Sequence, residues 1–214
     1  MSKNKDLDKL IGSLSKELEP CKPMAHPLIR VLPLIVISIL YVLAIILLIG
    51  PRNDWMPKMY GELSYIFEFG LSFSIFVSAA IALAWLCVPG MRGQTWLKAV
   101  PVTLGGVFLF WALLRIIFEW SEPFHFAFSS CSLDGFIMLA LPVFILTLFS
   151  RRGATTEPWW SSFMAVLSFA GLGWAGLRLT CSANTFAQSL VVHFVPFVTM
   201  GVVFALFARR IFKW

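Results

Sequence analysis

The sequence predicts an all-α integral membrane protein: a bundle of six transmembrane helices preceded by a short cytoplasmic amphipathic helix. Three observations predict it. Of 214 residues, 59% are hydrophobic and only 13% charged, far outside the range of a soluble globular domain. Six apolar stretches recur, each about the 20 residues that a helix needs to cross a bilayer core. Lysine and arginine gather at alternate ends of those stretches.

Residues 1–30 form a segment of their own, a cytoplasmic binding arm ahead of a membrane domain of residues 31–214. Leu7, Leu10, Ile11, Leu14 and Leu18 recur at the spacing of one helical face, on an arc about 100° wide. Lys5, Lys9 and Lys16 point the other way. Asp6 and Asp8 stand in the first turn, where negative charge suits the helix dipole. Pro20, Pro23 and Pro27 forbid a continuous helix into the bilayer and predict a stiff tether. A single helix cannot bury its own apolar stripe, so it needs a partner or a lipid surface. The lipid alternative lacks an aromatic anchor, and Glu17 and Glu19 are unfavourable near anionic headgroups. The segment is no secretory signal: its polar and mixed residues precede the first apolar run, and no A-x-A site follows that run.

The clearest span is Val31 to Gly50, which holds no charge and is ended by Pro51, Arg52, Asn53 and Asp54. The second runs from about Leu63 to Val88, with Glu68 in its first two turns, and Pro89-Gly90 stop it. The third runs from Ala99 to Phe118, with Arg115 near its far end. A polar loop with Glu122, Pro123 and His125 leads to the fourth, Leu133 to Phe149, closed by Arg151-Arg152. The fifth spans Trp159 to Leu177, and the sixth Phe186 to Ala208, before Arg209, Arg210 and Lys213. Pro101, Pro142 and Pro196 fall inside spans, as prolines of membrane helices often do.

Six spans put both termini on one side. With the N-terminus inside, thirteen lysines and arginines face the cytoplasm, against three outside: Arg52, Lys58 and Arg178. This asymmetry predicts cytoplasmic termini and an inner-membrane location. The net charge of +6 therefore reads as topology, and no nucleic-acid surface is expected. The outer loops are too short to build a domain with a core.

Four cysteines stand at 21, 87, 131 and 181, with no C-x-x-C among them. Cys131 and Cys181 fall at the outer face, in an oxidising compartment, where they invite a disulfide or a thiol pair that binds a soft metal. A purely structural bond, or two unrelated small apolar residues, is the plainer reading. His125 is a weak third metal ligand beside them; a lone loop histidine is more often just solvated. Glu68, Arg115, Asp134 and Arg178 lie in or near the outer third of the spans, where charges are costly and usually paired. His193, inside the sixth span, is expected to be a hydrogen-bonded interior histidine. No H-E-x-x-H, G-x-S-x-G or P-loop occurs, so neither an enzyme nor a cofactor is expected.

The whole chain resembles the six-span membrane anti-sigma factors of the negative-regulator-of-sigma-F (NrsF) type. The matching residues are Leu10-Ile11, Leu14, Leu18 and Pro20 ahead of Pro27 and Arg30. Cys131 with Pro142, Arg151-Arg152-Gly153-Ala154, Cys181 and the terminal Arg210 to Trp214 complete the set. The resemblance implies that Leu7, Leu10, Ile11, Leu14 and Leu18 bind an extracytoplasmic-function sigma factor and hold it at the membrane. It implies further that Cys131 and Cys181 take part in sensing oxidant or heavy-metal stress. The competing classes are a membrane thiol–disulfide oxidoreductase, which would want a second cysteine pair, and a small transporter, which would want paired broken helices or a midplane charge.

Overall fold

The computed structural model describes residues 3–17, 25–88, 93–118, 130–151, 153, 155–181 and 186–211. They form eight helices: α1 (Lys3–Glu17), α2 (Pro27–Ile49), α3 (Trp55–Gly61), α4 (Leu63–Leu86), α5 (Thr95–Phe118), α6 (Ser130–Arg151), α7 (Pro158–Thr180) and α8 (Phe186–Ile211). No strand occurs among the described residues.

Five of them, α2, α4, α5, α6 and α7, are long and apolar enough to cross a membrane. The sixth expected span coincides with α8, which is 26 residues long and carries Arg209 and Arg210 in its last turn. The first span starts earlier than expected, at Pro27 rather than Val31. Proline at a first helical position loses no hydrogen bond and brings a suitable φ, so Pro27 opens α2 where the sequence made it a breaker. Gly50 closes α2 at φ +94°, the left-handed region glycine adopts freely, and its N–H donates to the Ile46 carbonyl at 2.9 Å. The short helix α3 was not expected. Asp54 stands at its N-cap position but makes no side-chain cap, because its carboxylate is taken by Arg52.

Helix α7 is the centre. It packs on α4, α8 and α6, and also on α2 and α5. Of its apolar stretch 67% is buried, against 11% of that of α5. Small residues make this possible, since they let helix backbones approach closely. A Cβ on Gly171 would lie 2.5 Å from the Ser72 carbonyl oxygen of α4. One on Gly173 would lie 2.7 Å from the Phe197 ring of α8, and one on Gly176 would lie 2.9 Å from Met138 Sδ of α6. Ser162 Oγ donates to the Phe204 carbonyl of α8 at 2.9 Å, and Ser168 Oγ to the Phe76 carbonyl of α4 at 3.3 Å. Around this axis lie Ala79, Leu83, Leu139, Leu146, Phe169 and Phe204.

Most other span hydroxyls bond back to their own helix. Ser74, Ser78, Thr147 and Ser150 each donate to a carbonyl four residues earlier. In an apolar interior this removes the cost of an unmade hydrogen bond. Helices α5, α6 and α8 run on through Pro101, Pro142 and Pro196.

Candidate functional site

Cys131 and Cys181 are joined by a disulfide, with Cα atoms 5.8 Å apart. Cys131 sits in the first turn of α6 and Cys181 caps the end of α7, so the bond ties two neighbouring helices at one end of the bundle. Of the readings open in the sequence, the disulfide is therefore the one formed.

The end of α7 is held from a second direction. Its last carbonyls have no partner inside the helix. Tyr65 Oη of α4 donates to the Arg178 carbonyl at 2.6 Å. Arg52 donates twice, from its backbone N–H to the Leu179 carbonyl at 2.9 Å and from Nη1 to the Cys181 carbonyl at 3.0 Å. Asp54 fixes that guanidinium in a two-point grip, at 2.5 Å to Nε and 2.9 Å to Nη2. This hydrogen-bonded pairing holds the Asp54 carboxyl down at about 2, from the ordinary 3.8. Lys58 adds a weaker contact to the same carboxylate at 3.6 Å.

Beneath this clamp lies the polar cluster. Glu68 is fully buried, and its Oε2 is 3.2 Å from Arg178 Nη2. Trp111 Nε1 of α5 donates to Glu68 Oε1 at 3.2 Å, and Arg115 Nε lies 4.0 Å from the same oxygen. The Arg178 guanidinium also covers the Tyr65 ring at 4.8 Å. Three of the four charges expected at this level thus converge from α4, α5 and α7. Asp134 does not join them: among the described residues no ion pair to it is seen. Glu68 is the hub because, among the described residues, it is the carboxylate within reach of arginines on two other helices.

His193 departs from expectation. It is fully buried, yet neither ring nitrogen finds a hydrogen-bond partner among the described residues. It packs edge-on against the Trp174 ring, centroids 5.3 Å apart. Among the described residues, ring packing rather than a hydrogen bond places it. His125 and Leu18 lie outside the described residues, as does Cys21. Among the described residues no group of three His, Cys, Asp or Glu gathers that could hold a metal.

At the opposite end, the start of α2 meets the ends of α4 and α6. His26 packs edge-on against Trp85 at 5.4 Å, and Arg30 lies over the Phe149 ring at 4.9 Å. Gly153 sits so close to Cys87 that a Cβ would come within 2.5 Å of the Cys87 Cβ. Lys98 pairs with Glu157 and lies over the Trp160 ring at 5.4 Å. Helix α1 is thereby tethered to the point where α4 and α6 converge. On α1 itself Leu7, Leu10, Ile11 and Leu14 are each more than half exposed, at 54–57%. Among the described residues, α1 is not one of the helices whose pairs form the bundle.

The profile of the family described as negative regulator of sigma F, NrsF, matches residues 14–214. The chain belongs to the NrsF family. Its coarse role follows: it regulates a sigma factor negatively, and a sigma factor is its partner. Both cysteines and the whole helical bundle lie inside the NrsF match, whereas Leu7, Leu10 and Ile11 precede it. No curated protein and no solved structure matches the chain.

Sequence reasoning missed Arg52, Asp54 and Tyr65. Arg52 and Asp54 carry opposite charges two residues apart at the end of a span, a signal that was visible but read only as a helix stop and, for Arg52, a topology charge. Nothing local marks Tyr65, whose partner is 113 residues away in sequence.

Proposed function

We propose that this NrsF protein is a six-span inner-membrane anti-sigma factor with both termini in the cytoplasm. It sequesters an extracytoplasmic-function sigma factor through the apolar stripe of α1 and releases it when oxidant or heavy-metal stress acts on Cys131 and Cys181. It works by binding rather than catalysis. One observation carries this reading: four aliphatic side chains stand exposed along α1 in a chain that belongs to the NrsF family. Groove-binding helices are recognised through such i, i+3, i+4, i+7 anchors.

Coupling across the bundle has a physical route. The disulfide joins α6 to α7 at one end, and α6 carries Phe149 against Arg30 at the other, next to the attachment of α1. A switch requires that its two states hold different helix arrangements. An oxidant that forms the bond from two thiols ties α6 to the clamped end of α7, a thiol reductant frees it again, and a rigid tilt of a packed helix then moves its far end. The coupling needed is about 1–3 kcal/mol for a 5- to 150-fold change in affinity.

The test is Leu14→Asp, which places an unpaired charge at the centre of the stripe. The variant is expected to stay in the membrane at normal levels, lose sigma-factor capture in a pull-down, and raise target transcription without stress. Unchanged transcription from a stably expressed variant would sink the partner reading. The cysteine half is tested separately. Cys131→Ser, Cys181→Ser and the double variant should share one altered stress response, the double no worse than either single.

A further inference from the structure

We infer that the two sulfurs of the Cys131–Cys181 bond have unequal roles: Cys131 is the sulfur that an incoming small-molecule thiol attacks, and Cys181 is the anchored leaving sulfur, positioned by Arg52. The inference rests on reading this pair as redox-responsive and assigns which atom does what.

The two sites differ in access and in anchorage. Cys181 is only 5% exposed, whereas Cys131 is partly open on the first turn of α6. Cys181 is also fixed on both sides of its peptide. Its N–H donates to the Leu177 carbonyl at 2.8 Å, and its carbonyl accepts from Arg52 Nη1 at 3.0 Å. The Tyr65 hydroxyl and the Arg52 N–H hold the two carbonyls at positions 178 and 179. The Asp54 carboxylate keeps the Arg52 guanidinium in place, so the grip on Cys181 does not depend on the S–S bond.

Thiol–disulfide exchange proceeds by attack along the S–S axis, and its rate depends on which sulfur can be reached from behind. The helix dipoles favour the opposite assignment. Cys131 at a helix N-terminus is the better leaving thiolate and Cys181 at a C-terminus the poorer one. At 5% exposure Cys181 offers an attacking thiol less room than Cys131, and we take access to decide.

The step balances as follows. The thiolate of one glutathione bonds to Cys131 Sγ; the Cys131–Cys181 bond breaks, its electron pair goes to Cys181 Sγ, and that sulfur takes up a proton. A second glutathione thiolate attacks the glutathione sulfur of the mixed disulfide and expels the Cys131 thiolate. Two glutathiones are oxidised to their disulfide and two cysteines are reduced. Throughout, Arg52 keeps Cys181 where the bond can re-form, and Cys131 moves with α6.

The experiment uses the full chain in lipid nanodiscs, treated with limiting glutathione, quenched with acid and mapped by peptide mass spectrometry. The glutathione adduct is expected on Cys131 over Cys181 by about tenfold or more. An even split, or an excess on Cys181, overturns the assignment. A second measurement does not depend on trapping. Maleimide should modify Cys131 in Cys181→Ser about tenfold faster than it modifies Cys181 in Cys131→Ser; equal or reversed rates overturn it. In Asp54→Asn, with the disulfide still formed, the share of adduct on Cys181 should rise several-fold, and an unchanged share removes Arg52 from the positioning role. None of these readouts contains a sigma factor, so loss of sigma-factor capture and loss of this asymmetry are separate results.

Discussion

Glu68 is fully buried with arginines of α5 and α7 close by, and in an apolar setting the desolvation of a carboxylate is offset only by its partners. Removing its charge leaves Arg178 buried beside a neutral amide. Glu68→Gln is therefore expected to lower the stability of the bundle by about 3–5 kcal/mol, read as a shift of its denaturation curve in detergent. A change under about 1 kcal/mol would show that water reaches the cluster and screens it. Asp54 makes the opposite kind of statement, because it titrates outside the spans. Its folded value of about 2 lies below the ordinary 3.8, so the clamp's contribution is fully present above 3.8 and lost as pH falls through 2. The melting temperature should therefore show no pH dependence from this group between about pH 8 and 5 and an acid limb below about pH 4. Asp54→Asn should lack its share of that limb.

At the scale of elements, α7 decides the packing, and its glycines decide α7. Gly171 faces backbone: a Cβ there would meet the Ser72 carbonyl at 2.5 Å and the Phe76 nitrogen at 2.7 Å. Backbone cannot rotate away as a side-chain tip can, so α4 and α7 must separate. Gly171→Ala is expected to cost about 1–3 kcal/mol through this overpacking, seen as a lower melting temperature in detergent. Gly106→Ala on α5, where nothing lies within 4 Å, is the control and should be neutral. Equal effects at the two positions would show that the close approach of α4 and α7 is not what holds the core.

The whole molecule is polar at its two ends for different reasons. One end holds the disulfide and its buried charges; the other holds the tethering point of α1 and the exposed Arg151, Arg209 and Arg210. In the proposed orientation the second end faces the cytoplasm, which rests on thirteen against three lysines and arginines. In intact cells treated with a mild reductant, an impermeant maleimide is expected to label Cys131 and to leave Cys21 unlabelled until lysis. Labelling of Cys21 without lysis would reverse the orientation and detach the cysteine pair from any external signal.

The sequence by itself determined the long apolar helices and their order, but not the short α3. Apolar runs of span length, stopped by Pro51, Pro89-Gly90 and paired arginines, are local signals, and a helix satisfies its backbone locally. The stripe of α1 was legible for the same reason: Leu7, Leu10, Ile11 and Leu14 express a periodicity within one helix. The cysteine pair was visible only as two thiols on one predicted face, open to several chemistries. Tertiary structure decided that they bond, that Glu68 gathers Trp111, Arg115 and Arg178, and that His193 packs against Trp174. It also made Arg52 a clamp on Cys181 where the sequence showed a helix stop. These are contacts between residues 43 to 129 apart, set by which face of each helix turns toward α7. That rotation follows from where small residues let backbones touch, and it emerges only when all the helices compete for the same space.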